Sequence, residues 1–517
     1  MSDTQSAELP SQPDLRVLQS PDATPAKALA KTEHLLILLP EKAAASAWKQ
    51  LPDGARLREL GRRRHSDSNI IQSRLGNQAA TGVTLGQLPG SLTGKGPVSA
   101  FASLSFCGKL AAAVCADNPA SVAIMVVGFT ADARTALIKH LVLALAAHRF
   151  TLPAYKSKAS KNARLKTVRI LGKGDTVDLQ RTLAEAKATN LVRWLTAQPP
   201  NRLDASSYVK LLKSMAREYG WKLEFLNESK LKKAGAGAFL AVSQGNSTRD
   251  AGIVRLQYRP DKGATNPAVA LVGKGIIFDT GGTNLKPFKG MLDMHMDMSG
   301  SAVAVATLAA LTELQVPLAI DCWLAITENC IGPAAYKPRD IVTASNGVSI
   351  EVIHTDAEGR MALADTLALA GQEKPNAIID FATLTGSCVA ALTDRYSGAL
   401  TNRASLNELL IETGSECGER VWPFPMDKDF DEEIQSEVAD VVQCAAAGGG
   451  DHIQAARFLS RFVPKQAAWV HIDLSAASRK GGLAQVPTEI TGFGARYAIS
   501  LVLDSHAQLL AAAKGTA

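Results

Sequence analysis

No part of this sequence is apolar for long enough to cross a membrane: no uninterrupted run reaches the ~20 residues that a helical span needs. A helical membrane protein is thereby excluded. Residues 1–20 are polar, carry Asp3, Glu8 and Asp14, and lack the basic start and apolar centre of a secretory leader, so no export signal is expected. Cysteine is scarce: seven in 517 residues, an odd number, with no Cys-x-x-Cys pair. That excludes a disulfide framework and a cysteine zinc site, and leaves reduced thiols in the cytoplasm as the expectation. There is no His-Glu-x-x-His zinc motif. Gly94-Lys95-Gly96 fails as a phosphate loop, because Pro89 stands where the motif needs glycine and no Ser or Thr follows the lysine. Internal repeats, heptads and low-complexity tracts are also missing.

What is present has the balance of a soluble globular enzyme: 46% apolar and 20% charged residues. The length predicts more than one domain. The net charge of +7 is unevenly spread, since residues 1–190 carry 25 Lys and Arg against 14 Asp and Glu. The run from Arg56 to His65, with Arg56, Arg58, Arg62, Arg63 and Arg64, reads as a solvated face or loop. A nucleic-acid partner for this basic part is the second, less favoured reading.

Hydropathy patterning divides the chain. Residues 1–30, rich in Ser, Pro, Ala and Asp, predict a loose arm. Apolar runs at 34–40, 122–128 and 168–171, with helical spacing over 133–150, predict a first α/β domain at 31–175. A helical stretch at 178–197, stopped by Pro199-Pro200, predicts a connector within 176–200. Residues 201–517 alternate again. Strands are predicted at 222–226, 238–242, 254–258, 269–272, 318–326, 349–353, 377–381 and 469–474, and helices at 205–219 and 301–314.

Chemistry concentrates between Gly273 and Arg360. Lys274, Asp279, Asp297, Asp356 and Glu358 lie on or beside glycine-punctuated turns that follow apolar runs. An α/β sheet presents its chemistry there, at the carboxyl ends of its strands. Carboxylates that bridge two dications offset their mutual repulsion, and such pairs of ions sit about 3.5–4 Å apart. By spacing alone, either Asp293 or Asp297 could be the ligand, since the two are one helical turn apart. Lys274 is the unusual member, because an amine ligates only when neutral and its pKa must then be lowered. Oxygen ligands with one amine suit manganese, magnesium or zinc. Lys286 and Arg360 are the cations left to face substrate.

These motifs resemble the leucyl aminopeptidase family, the dinuclear cytosol aminopeptidases. The family's Gly-Lys-Gly-Ile-Thr-Phe-Asp-Ser-Gly-Gly corresponds to Gly273–Gly282, and its Leu-Lys-Pro to Leu285–Pro287. Asp297–Gly300, Thr355–Arg360, Asp380–Gly386 and Thr491–Arg496 match further motifs in order. His354 and His295 depart from the usual Asn and Lys, without removing a ligand.

The resemblance implies an N-terminal α/β domain followed by a larger α/β catalytic domain with a mixed central sheet flanked by helices. It selects Asp297 over Asp293. It implies one metal on Lys274, Asp279, Asp297 and Glu358, and a more exchangeable one on Asp279, Asp356 and Glu358. Lys286 would polarise the peptide carbonyl, and Arg360 would hold a bicarbonate ion as proton shuttle. Met294, Thr383, Leu384 and Gly386 would border the pocket for the first side chain. The implied protein is a cytoplasmic homohexamer that removes N-terminal residues from peptides using two Mn2+ or Zn2+ ions. An architectural nucleic-acid-binding relative and a non-catalytic structural relative are the rival readings.

Overall fold

The computed structural model describes residues 8–20, 25–63, 69–90, 99–158, 163–172, 176–260 and 266–514. The chain forms two compact units. The smaller comprises Ser11–Asn190 with Lys480–Glu489, and the larger is built from Leu191–Arg479 and Ile490–Ala517 with Met1–Pro10. The division falls inside the helix Gln180–Thr196, and a short return of the late chain joins the smaller unit. Position along the chain does not reveal that return.

The smaller unit holds six strands: β1 (Arg16–Ser20), β2 (His34–Pro40), β3 (Ile70–Arg74), β4 (Gly82–Leu88), β5 (Ser121–Val126) and β6 (Thr167–Leu171). Their order is β1-β6-β5-β2-β4-β3, parallel except for the β3 edge. Side chains of a strand alternate between faces. On β2, Leu36 and Leu38 enter one core cluster while Leu35, Ile37 and Leu39 enter another. Burial on both faces explains the continuous apolar run.

One expectation is corrected here. Part of the supposed loose arm is edge strand β1, paired residue for residue with β6. Its gain comes from ladder hydrogen bonds to a partner ~150 residues away, which local composition cannot register. The arginines from Arg56 to Arg63 lie on the helix Gly54–Arg63, which buries only Gly54 and Leu57. Arg64, His65 and Gly94–Gly96 lie outside the described residues.

The larger unit has an eight-stranded sheet. Its members are β7 (Lys222–Asn227), β8 (Gly252–Tyr258), β9 (Val269–Asp279), β10 (Ile320–Asn329), β13 (Ala377–Ala382), β14 (Ser397–Thr401), β15 (Val421–Pro423) and β17 (Ala468–Asp473). A small second sheet joins β11 (Ile341–Thr343), β12 (Ser349–Glu351) and β16 (Val441–Val442). The large sheet runs β15-β14-β17-β13-β9-β10-β8-β7, with β17, β13, β9 and β10 mutually parallel at its centre. This is an α/β fold with mixed sheets flanked by helices.

The buried helix Glu358–Gln372 packs Met361, Leu363 and Leu367 into the same core as Ile276, Ile378 and Trp469. Residues 238–242 are not a strand but part of the helix Gly237–Ser243. A short apolar run looks the same in a buried strand and a buried helix. Here the run packs on the helix Glu358–Gln372, and Phe239 N donates to Asp365 Oδ2 at 2.8 Å. Among the described residues no helix is long and apolar enough to cross a membrane.

Candidate metal centre

The four parallel strands end together, β9 at Asp279, β10 at Asn329, β13 at Ala382 and β17 at Asp473. Lys274 lies within β9, with its Nζ 2.8 Å from Asp297 Oδ2 and 3.0 Å from Glu358 Oε1. It also donates to the Thr383 carbonyl at 3.0 Å. Lys274 and Asp279 are five residues apart and would point to opposite faces of a regular strand. The register changes between them: Thr327 pairs with Ile276 but Asn329 with Asp279, so β9 carries one extra residue. This bulge restores the parity and turns Asp279 toward the same site.

Asp279 Oδ1 accepts from Gly281 N and Asn329 Nδ2, both at 2.8 Å. Its Oδ2 lies 2.8 Å from Lys286 Nζ, which is also 2.6 Å from Asp356 Oδ1. Asp297 follows the short 3-10 turn Met294–Met296, and its Oδ1 accepts from Thr383 Oγ1 at 2.7 Å. Asp293 is exposed. Glu358 opens the helix Glu358–Gln372, where the helix N-terminus favours a carboxylate.

The arrangement fits a cation. Ligand atoms of Asp279, Asp356 and Glu358 all lie within 4.8 Å of one another. Asp297 is 6% exposed and Glu358 1%. Burial, then repulsion from Asp279, pushes the Glu358 carboxyl up to about 8. Burial raises Asp297 to about 6, with Asp279 adding to it and Lys274 opposing. Burial, helped by Asp279, also raises Asp356. Glu358 Oε2 has no hydrogen-bond partner, while Asp297 Oδ2 and Asp356 Oδ1 meet the ammoniums of Lys274 and Lys286 at 2.8 and 2.6 Å. Further positive charge among these carboxylates would favour their ionised forms.

Among these carboxylates Lys274 is held in its charged form. Burial pulls it down, but Asp297, Glu358 and Asp279 outweigh burial and hold it above the ordinary lysine value. A dication among the same carboxylates would compete with the ammonium and reverse that balance. Lys286 is likewise held up by Asp279 and Asp356 against burial.

Residues 190–499 match the cytosol aminopeptidase family, catalytic domain. The chain belongs to the cytosol aminopeptidase family. It is 39% identical over 365 residues to a protein of Stutzerimonas stutzeri (strain A1501) described as "Probable cytosol aminopeptidase", covering 69% of this chain and 72% of that one. Its fold is similar to a mutant of tomato leucine aminopeptidase, with TM-score 0.79 and 25% identity over 97% of this chain and 99% of that chain. It is also similar to the bottromycin maturation enzyme BotP in complex with Mn, with TM-score 0.78 and 26% identity over 92% and 100% of the two chains. A cytosol aminopeptidase is a metal-dependent hydrolase that releases N-terminal residues from peptides, and that is the activity of this chain.

Around this cytosol aminopeptidase site stand residues that sequence reasoning did not single out. Tyr336 Oη donates to the Thr355 carbonyl at 2.7 Å, and Asn329 Nδ2 reaches the same oxygen at 3.0 Å. Gln443 Oε1 accepts from Ile353 N and His354 N at 2.7 and 3.0 Å. Together they hold the turn that carries Asp356. Asp473 Oδ1 accepts from Leu384 N at 3.1 Å, fixing the loop after β13. An acidic residue at the end of an apolar strand was the available signal for Asp473. Tyr336 and Gln443 had none. Of the expected pocket residues, Met294, Thr383 and Leu384 are half-buried and Gly386 is exposed.

Arg360 is 2% exposed and does not face an open anion site. Its Nη2 lies 2.8 and 2.7 Å from the two carboxylate oxygens of Asp451. With Nη2 on Asp451 and Nη1 on the Gln443 carbonyl, the guanidinium offers the expected bicarbonate no free pair of donors.

Proposed function

We propose that Lys274, Asp279, Asp297, Asp356 and Glu358 hold two divalent ions, manganese or zinc, with Lys286 as the catalytic cation. The observation that carries this reading is the convergence of four carboxylates and two lysines from separate motifs within contact distance of one another. The manganese named with BotP supports that metal. Such ions would supply hydroxide near neutral pH and a Lewis acid for the scissile carbonyl.

The chain's own residues do the rest. Only the first residue of a peptide carries a free α-amine that such a centre could ligate, which would restrict cleavage to the first bond. Lys286, on the turn after β9, places a positive charge where negative charge develops on the carbonyl oxygen. Met294, Thr383, Leu384 and Gly386 border the first side chain. Thr383 serves twice, since its hydroxyl orients Asp297 and its carbonyl orients Lys274.

Catalysis is assigned to the larger unit and a cytoplasmic homohexamer is the proposed form. Exposed Phe288, Leu292, Trp422 and Val438 on the larger unit support an assembly that covers them. The nucleic-acid reading gains nothing from the helix Gly54–Arg63, where Arg63 pairs with Glu59 at 2.8 Å. A panel of aminoacyl amides assayed against a titration of manganese and zinc tests the proposal. Turnover of an N-terminally blocked peptide at the same rate as a free one would overturn it.

A further inference from the structure

The Arg360 contact carries an inference beyond this reading, and rests on it. Arg360 stands two residues after Glu358 in the first turn of the helix Glu358–Gln372. It is a buried cation, and a buried guanidinium without a counter-charge is costly. Both oxygens of Asp451 meet its Nη2, and Nη1 donates to the Gln443 carbonyl at 3.2 Å. Gln443 is itself bonded to Ile353 N, His354 N and the Ala357 carbonyl. The segment that brings Asp451 in is therefore tied to the turn that carries Asp356 and Glu358.

Local structure aims Asp451 at this spot. It is the first residue of the helix Asp451–Ser460, where an acidic side chain is favoured. Gly450, with φ +77°, supplies the left-handed step just before it. The Asp451 side chain is 42% exposed while Arg360 is sealed, so the carboxylate has one edge on the guanidinium and another toward solvent.

We propose that Asp451 is the resident anion of Arg360, filling the place expected of bicarbonate, so that this enzyme works without that ion. A carboxylate and a bicarbonate share the features such a site uses: a planar group, paired oxygens and a single negative charge. The tethered group loses no translational freedom when it binds, so it outcompetes the free ion. One guanidinium charge is already matched by one carboxylate, and a second anion would face the acidic cluster. Arg360 Nε has no hydrogen-bond partner and is the donor on which bicarbonate could still sit beside Asp451. The test therefore includes bicarbonate itself.

Full-length wild type, Asp451→Ala and Asp451→Asn are loaded with manganese and assayed in carbonate-stripped buffer, then with bicarbonate added back. Asp451 here acts as a positioning residue. The expected result is a wild-type kcat that bicarbonate does not change, a variant kcat lower by about 10- to 100-fold, and its partial return on adding bicarbonate. A second readout follows the unfolding midpoint, which bicarbonate raises in the variants and leaves alone in wild type. If Asp451→Ala fails to fold, the near-isosteric Asp451→Asn carries both readouts, and the wild-type arm stands without either. A wild type that loses rate in stripped buffer and regains it with bicarbonate overturns the inference. So do variants with unchanged rate, or a rate loss that bicarbonate does not relieve. A wild type inactive on every peptide amide would overturn the functional reading instead, and the unfolding arm would still decide the role of Asp451.

Discussion

Gly359 lies so close to Lys274 that a Cβ built on it would come within 2.6 Å of the lysine Cε and 2.7 Å of Nζ. The glycine between Glu358 and Arg360 is thus the wall against which the β9 lysine is pressed. Gly359→Ala should push Lys274 out of line. Overpacking of this kind costs about 1–3 kcal/mol, so the protein should still fold. Metal content after dialysis should drop and activity with it, by about 100-fold for an ångström-scale displacement. An Ala variant that keeps its metal and its rate would show that Gly359 does not position Lys274.

Lys286 and Glu358 should separate by phenotype. Lys286 bridges Asp279 and Asp356 from the exposed side, whereas Glu358 lies within the cluster. Lys286→Ala should retain bound metal and lose about 10²–10³-fold in kcat, the usual consequence of deleting one group that stabilises developing charge. Glu358→Ala should lose the metal first. Elemental analysis of both variants beside their kinetics is the measurement.

Metal removal should cost stability as well as activity. The carboxylates at the ends of β9 and of the loops after it repel one another inside a buried site, as the raised Glu358 and Asp297 values show. A chelator should abolish turnover and lower the unfolding midpoint, and manganese should restore both. Ligand present at about 100 times its Kd stabilises by about 2.7 kcal/mol, which sets the scale of the shift. An unfolding midpoint indifferent to chelator would contradict the assignment.

The pair His471–Asp380 predicts a pH effect away from the metal. His471 Nδ1 is 2.6 Å from Asp380 Oδ1, both side chains are fully buried, and Trp469 Nε1 holds the other oxygen at 2.6 Å. Burial opposes a charged imidazole, but Asp380, with help from Asp473, outweighs it and raises the His471 pKa, while Arg360 opposes. A raised histidine contributes stability that is complete below its ordinary value and is lost as pH rises through the folded one. Denaturant midpoints should therefore fall with pH from about 6.5 upward. Asp380→Asn should flatten that slope and cost about 3–5 kcal/mol, because it strands one partner of a buried pair.

Much of the site was legible early because its residues sit in short motifs whose glycines, lysine and acids are adjacent in the chain. Thr355 to Glu358 and Gly273 to Asp279 each carry proposed ligands within a few residues, so their meaning survives without coordinates. Strands buried on both faces, such as β2 and β5, announced themselves as unbroken apolar runs. The strand β1 did not, since its stability comes from a distant partner. The helix Gly237–Ser243 reads as a strand in the sequence because its apolar run is too short for period to distinguish helix from strand.

The sequence by itself determined which residues could bind metal, their order, and the alternation of elements that makes an α/β fold. Those properties are local: residue type, spacing and apolar period. Only the tertiary structure decided that one extra residue in β9 turns Asp279 to the side of Lys274, and that Asp451, ~90 positions away, closes on Arg360. Both depend on pairing between segments far apart in the chain, where a single step of register or one glycine turn reverses the direction of a side chain.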